Sequence, residues 1–514
     1  MGLFIGSDQV LSKLQPASIE EWNRPICIPK TRIDVINFIT EWLTGANAAN
    51  NKNVLWMHGL AGSGKSTIST TVAEMMRGLK RLGGFFYFDR NQPERTASTL
   101  IRTLAYQLAM SDPQFEAKIM QVVEENPNLP SKTFASQFSA LLSNNALSSV
   151  DWRGGPLLLV IDALDECGEE KDRKILLKAL LTGFSELASF LKVIIFSRPE
   201  VDIHSAFESH SSVYAYHLNI NSEANRNDIL VYLQQRLAGI SEANKDYLKD
   251  AEWPGTQRTS LLADQAAGLF VWASTACLYI EAYGPDDRLD ELLHQKPVAT
   301  ASKPFADLDK LYKFAIQAVG KWDIPSFAAE CRNVLGIILC SRLPLTCLAM
   351  DHILKSNKSL VLISNLRCVI HGGKSEPVQT LHLSFQNYLC ERCDGEPWSI
   401  HLEEHHLKIA LCCIDFLDQH LHKNINGLSL NQHEWIPSLP EVPSSEALSY
   451  GCLFWIEHLI RISKPSMILG DQIYHFLENH LLHWIEALAV LKKNYIAIQM
   501  LQNLLDWLKV YDPT

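Results

Sequence analysis

Eight consecutive residues, Gly59-Leu60-Ala61-Gly62-Ser63-Gly64-Lys65-Ser66, satisfy the pattern G-x-x-x-x-G-K-[ST] in full. Its glycines let the backbone curl until several N–H groups point at one anion, and a helix opening near Lys65 adds its positive end. In such a loop Lys65 reaches the β and γ phosphates of a nucleotide and the Ser66 hydroxyl ligates magnesium. The motif has the flanks it requires. Val54-Leu55-Trp56-Met57-His58 reads as a buried strand, and Thr67-Ile68-Ser69-Thr70-Thr71-Val72-Ala73 continues as a helix. The expected ligand is a purine nucleoside triphosphate with magnesium, ATP or GTP, since nothing in these residues selects the base.

Two further strand ends offer matching chemistry. Leu157-Leu158-Leu159-Val160-Ile161 is an apolar run that delivers Asp162 to the carboxyl end of a sheet, where open α/β folds bind ligands. A carboxylate there holds magnesium, usually through water. Asp165 and Glu166 follow, and either one placed beside the γ phosphate could polarise an attacking water. Three carboxylates this close repel one another unless a cation sits among them. The run Val193-Ile194-Ile195-Phe196 ends in Ser197-Arg198, and the Arg198 guanidinium suits a γ phosphate as a planar, charge-assisted fork.

The elements that must position these residues are those of an α/β domain. From about residue 27 to 220, short apolar runs, including Gly84-Phe85-Phe86-Tyr87-Phe88, alternate with helical patterns. Strands buried on both faces imply a parallel sheet with helices on both sides. Residues 1–26 read as a short lead-in. Residues 221–304 read as helical, with long periodicities over 229–237 and 261–283 and a Pro/Asp/Lys-rich linker from Pro285 to Pro304. Residues 305–395 mix helices with short strands, and Val378 to Tyr388 runs from strand into helix. Residues 396–514 read as helical, with a Pro/Ser-rich loop from Pro437 to Ser445. No repeat of fixed period is visible.

The 514 residues carry a net charge of −11, which argues against a general nucleic-acid or anionic-membrane binder. Twelve scattered cysteines and no signal peptide fit a reducing, cytoplasmic compartment. No stretch is long and apolar enough for a membrane span.

Together these motifs resemble the NACHT family of signal-transducing P-loop ATPases (STAND class), which includes NLR-type innate immune receptors. The resemblance is nearest to fungal members and, more broadly, to the nephrocystin-3-like N-terminal domain. It is carried by Cys27-Ile28-Pro29-Lys30-Thr31-Arg32 before a helix ending in Glu41-Trp42-Leu43, and by Phe85-Phe86-Tyr87-Phe88 with Arg95 and Thr103-Leu104-Ala105-Tyr106-Gln107-Leu108-Ala109. It is also carried by Asp162-Ala163-Leu164-Asp165-Glu166, by Gly268-Leu269-Phe270-Val271-Trp272-Ala273 and by Leu381-His382-Leu383-Ser384-Phe385-Gln386-Asn387-Tyr388-Leu389. The resemblance implies a nucleotide domain, a helical domain and a winged-helix domain that ADP holds closed, and an ATP-bound form that self-associates. It also implies that Ile28 and Arg32 lie near base and sugar, and that His382 touches the β phosphate of ADP. Family members commonly carry an N-terminal effector and C-terminal repeats. Neither is visible here, which fits a short paralogue, a truncated gene product or a subunit whose effector or sensor acts in trans. The alternatives are a nucleotide-stabilised adaptor without turnover and, less favoured, a P-loop kinase for a small acceptor.

Cys390-x-x-Cys393 with His401, His405 and His406 mimics zinc-finger order, but the gap between the pairs is short and packing is the preferred reading. The Trp and Phe residues after 398 fall mostly at helical spacing and are expected in a core.

Overall fold

Five strands form one parallel sheet in the computed structural model. They are β1 (Val54–His58), β2 (Leu82–Tyr87), β3 (Leu157–Asp162), β4 (Leu191–Ser197) and β5 (Val213–His217), in the spatial order β2-β3-β4-β1-β5. The structure describes residues 9–18, 24–45, 52–90, 92, 94–168, 170–208, 210–248, 250, 252–294, 305–425, 427, 445–463 and 467–511. Residues 437–444 of the expected loop and residues 295–304 of the expected linker lie outside them, and Ser445, the last residue of that loop, begins a helix.

Strand periodicity explains the two-sided core. Successive side chains point to opposite faces. Leu55, Met57, Phe85, Leu158, Val160, Ile194 and Phe196 therefore pack on one face with Trp42 of α1 (Ile33–Thr44) and Ile68 and Val72 of α2 (Lys65–Gly78). On the other face Trp56, Phe86, Leu159, Ile161 and Ile195 meet α3 (Ala97–Ser111), α4 (Pro113–Glu125), α5 (Phe134–Leu141), α6 (Glu170–Glu186) and α7 (Val201–Phe207). Leu11, Leu14 and Ala17 join this second core. Ala17 N–H donates to Thr103 Oγ1 at 2.9 Å, and Arg102 Nη1 donates to the Leu14 carbonyl at 3.0 Å.

The chain divides into two compact units, residues 1–277 with 285–307, and residues 278–284 with 308–514. The first unit holds the sheet and continues through α8 (Glu223–Ala243), α9 (Thr256–Gln265), the start of α10 (Phe270–Ala282) and α11 (Pro285–Leu293). Two expectations change here. The periodicity over 261–283 is two helices, because Ala267 and Gly268 take positive φ (47° and 80°). A Cβ on Gly268 would lie 2.1 Å from the Ile220 carbonyl oxygen, so the chain turns there against a close neighbour. The expected linker begins as helix α11. Pro285 at its first position and Asp286 and Asp287 in its first turn suit a helix start. Leu289 and Leu292 are buried, and Arg258 pairs with Asp286 and Asp290.

The second unit is mainly helical. It contains α12 (Ala306–Gln317), α13 (Pro325–Cys340), α14 (Cys347–Leu354), α15 (Ser359–Asn365), the antiparallel pair β6 (Ile370–His371) and β7 (Gln379–Thr380), and α16 (Leu383–Asn387). Helices α17 (Leu402–His420), α18 (Ser445–Leu459), α19 (Met467–Val490) and α20 (Ala497–Tyr511) follow. Trp398, Trp455 and Trp484 are fully buried. No helix among the described residues is long and apolar enough to cross a membrane.

Candidate functional site

The glycine-rich loop leaves the carboxyl end of β1, next to the ends of β4 and β5. Gly62 and Gly64 have φ of 78° and 88°, a left-handed backbone that side chains disfavour, and α2 starts at once on Lys65. Two residues brace the loop from outside, and Lys65 braces it from within. Arg32 Nη2 donates to the Ser63 carbonyl at 2.6 Å, with its guanidinium 4.5 Å from the Phe270 ring centroid. The Val271 N–H donates to the Gly62 carbonyl at 3.2 Å. Lys65 Nζ donates to the carbonyls of Gly59 and Leu60, each at 2.8 Å.

Gly62 is also a packing requirement, since a Cβ there would lie 2.2 Å from Val271 Cγ1. Gly62→Ala combines a left-handed L residue, costing about 1–2 kcal/mol, with overpacking of about 1–3 kcal/mol. We expect the melting temperature of the full chain to fall by about 4 °C or more. An unchanged melting curve would mean that Val271 yields freely.

Four ionisable residues share the field of Lys65: Asp165, Arg198, Asp162 and Glu166. Although part of its side chain meets solvent, desolvation is the main cause that lowers the Lys65 ammonium to about 8; Asp165 opposes the drop and Arg198 reinforces it. Asp162, the last residue of β3, is 1% exposed. Its Oδ2 accepts from Arg24 Nη2 at 2.8 Å, and its buried Oδ1 has no partner among the described residues. Asp165 is tied to the next strand end, accepting from the Arg198 N–H at 2.9 Å and pairing with Arg198 Nε at 3.2 Å. Glu166 is half-buried, and burial, then Asp165, pushes its carboxyl up to about 8, with Arg90 and Arg198 working against that rise.

The raised Glu166 pKa has a definite sign in stability. The folded protein binds this proton more tightly than the unfolded chain, whose carboxyl titrates near 4.5. Stability from the protonated form is complete below 4.5 and is lost as pH rises through about 8. In EDTA, Glu166→Gln should therefore melt progressively higher than wild type as pH is raised, with the two curves converging in acid. A constant difference across that range would show that Glu166 ionises normally.

The remaining expected positions fall as follows. Leu60 and Thr67 are half-buried, Ala61 and Ser63 are buried, and Ser66 is exposed at the helix start. Ile28 is half-buried, and its carbonyl accepts from the Thr31 hydroxyl at 2.7 Å. His382 belongs to the second unit, where its Nδ1 accepts from the Ser384 N–H at 3.1 Å and so caps α16. Cys393, His405 and His406 are buried, and His406 Nδ1 lies 2.8 Å from His458 Nδ1. Among the described residues no group of three or more His, Cys, Asp and Glu side chains is arranged to hold a metal ion. Magnesium does not require such a group, because it keeps most of its waters and takes one or two protein oxygens. The unpartnered Asp162 Oδ1 and the exposed Ser66 fit that limited role, and the glycine loop fits a phosphate cradle.

Sequence reasoning did not place Arg24, Phe270 or Val271 at the site. The Gly268–Ala273 stretch reads in the sequence only as part of the helical domain that follows, although its apolar start after a glycine is the signal of a tight approach. Arg24 gave no signal.

Residues 37–198 match the family model described as Nephrocystin 3, N-terminal. No curated protein matches the chain. A STAND protein with a tetratricopeptide repeat sensor from Pyrococcus horikoshii is similar in structure at 12% identity and a TM-score of 0.45, over 96% of this chain and 60% of that one. The chain thus spans less than two thirds of that protein. A structure of Drosophila ORC bound to DNA is similar at 12% identity and a TM-score of 0.29, over 70% of this chain and 77% of that one. The matched segment contains β1 to β4, the glycine loop, Asp162, Asp165, Glu166 and Arg198.

Proposed function

We propose that the chain is a NACHT-type nucleotide switch, a P-loop domain that binds ATP or ADP with magnesium and hydrolyses ATP slowly. One observation carries this reading: a left-handed glycine loop at the carboxyl end of β1 meets Lys65, Asp162, Asp165, Glu166 and Arg198 in one electrostatic neighbourhood. In this reading the inward N–H groups of residues 60–66 and the Lys65 ammonium neutralise the phosphates. Ser66 and Asp162 hold magnesium, which supplies charge neutralisation for the leaving phosphate. Asp165 is occupied with Arg198, so it acts by aiming that guanidinium, and Glu166 is left as the base. A cation beside Glu166 favours its carboxylate, so the base is armed by a loaded site.

The switching part rests on the Nephrocystin 3, N-terminal match and on the contact between the start of α10 and the loop. Val271 and Phe270 touch residues 62 and 32, so phosphate-dependent movement of the loop is felt at once by the helical region. A role for His382 in holding ADP, and for Ile28 and Arg32 beside base and sugar, belongs to the same proposal. A hydrogen bond to a charged group contributes about 1.5–3 kcal/mol, whereas reversing a 1:99 equilibrium takes about 5.5 kcal/mol, so His382 biases the switch without setting it. Self-association with ATP, and a protein effector or sensor as partner, belong to this reading.

A nucleotide-stabilised adaptor is the second reading, favoured by the hydrogen bonds from Arg32, Val271 and Lys65 that brace the loop. Phosphate release and particle mass under ADP, ATP and a non-hydrolysable ATP analogue separate them. The switch requires turnover above a Lys65→Ala control and a larger particle with the analogue. Stabilisation by nucleotide without either leaves the adaptor.

A further inference from the structure

The buried carboxylate proposed for magnesium already has a cation. Arg24 lies outside the matched family segment, yet its Nη2 is 2.8 Å from Asp162 Oδ2. Asp162 is 1% exposed and Arg24 22% by side chain. The guanidinium is seated on the aromatic end of β2, 4.4 Å from the Tyr87 ring centroid, with Arg95 at 3.7 Å from the same ring. Tyr87 is the β2 residue in register with Asp162. The short strap that carries Arg24 is pinned to the helix after the glycine loop, where the Cys27 N–H donates to Thr71 Oγ1 at 2.8 Å.

The pairing is a single contact. A guanidinium and a carboxylate can form two parallel bonds. Here Arg24 Nη1 and Asp162 Oδ1 are both buried without a partner among the described residues. Each partner therefore keeps unmet hydrogen-bonding capacity, which is what a replaceable counter-ion needs and a permanent structural ion pair does not. A guanidinium and a divalent ion held by one carboxylate repel each other strongly at low effective dielectric.

Resting on the nucleotide-site reading, we propose that Arg24 is a built-in counter-ion of Asp162 that magnesium bound to nucleotide displaces. The magnesium affinity of the site is then set partly by this arginine, and metal loading frees the strap at residues 24–27. The repulsion is opposed by orientation, because Arg24 also fixes the Asp162 carboxylate. The Coulomb contribution is the larger one for a doubly charged ion, so removing Arg24 strengthens metal binding.

The test is a magnesium titration of the full chain at saturating ADP, followed by thermal melting. Arg24→Gln should melt lower than wild type in EDTA, by about 4 °C or more, because Asp162 is left buried and unpaired. Its magnesium midpoint should fall about tenfold, Arg24→Lys should keep the wild-type midpoint, and Arg24→Gln with Asp162→Asn should lose the magnesium response. An unchanged or higher midpoint in Arg24→Gln overturns the proposal. Wild type alone gives a second readout if the variant does not fold. Magnesium with ADP should speed hydrogen exchange at the Cys27 amide, and slower or equal exchange also overturns it. A wild type that binds neither ADP nor ATP instead removes the nucleotide reading itself.

Discussion

Glu166→Gln should bind ATP as wild type does and release phosphate about 10²–10⁴-fold more slowly, the range set by a positioned general base. The choice of Glu166 over Asp165 comes from their partners. Both Asp165 oxygens are engaged by Arg198, one through its backbone N–H and one through Nε. Proton acceptance by Asp165 would break that arrangement. Glu166 sits one residue on, at the end of a 3-10 turn, with its pKa raised to about 8 by burial and by Asp165. A base with that affinity is strong, and it becomes available once a cation lowers its pKa. Glutamine keeps the shape and removes the proton acceptor. Single-turnover phosphate release with bound ATP measures this directly, and a wild-type rate in the variant would remove Glu166 from catalysis.

Lys65→Ala should weaken ATP binding by about 10–100-fold, from about 1.5–3 kcal/mol for a charged hydrogen bond and about 1.4 kcal/mol per factor of ten. In the structure the ammonium is satisfied by the Gly59 and Leu60 carbonyls, and its pKa of about 8 reflects desolvation offset by Asp165. A polyphosphate would raise that pKa and draw the ammonium across. Loss of Lys65 therefore acts on triphosphate affinity more than on folding. The check is a competition titration of ATP and ADP on both proteins. Equal affinities for ATP would place the phosphates elsewhere.

Much of the site was legible because its parts are local. Four of the five strands contain a short apolar run with buried residues on both faces, and three of them lead into the loop, Asp162 or Arg198. Strand β5 was not legible, since Val213-Tyr214-Ala215-Tyr216-His217 has one buried residue and alternates with exposed ones at the sheet edge. The braces were not legible either. Arg24 meets a partner 138 residues away, and Arg32 meets Phe270 only after α8 and α9 have returned the chain to the loop. Pro285, Asp286 and Asp287 suggested a linker by composition, but the same residues are good helix starters when Leu289 and Leu292 have a core to enter.

Equilibrium dialysis of the full chain against labelled ATP, with magnesium and then with EDTA, bears on all of this at once. One saturable site per chain is expected, tighter with magnesium than without and weakened in Lys65→Ala. No saturable uptake of ATP, ADP or GTP by folded protein would contradict a phosphate cradle at residues 59–66.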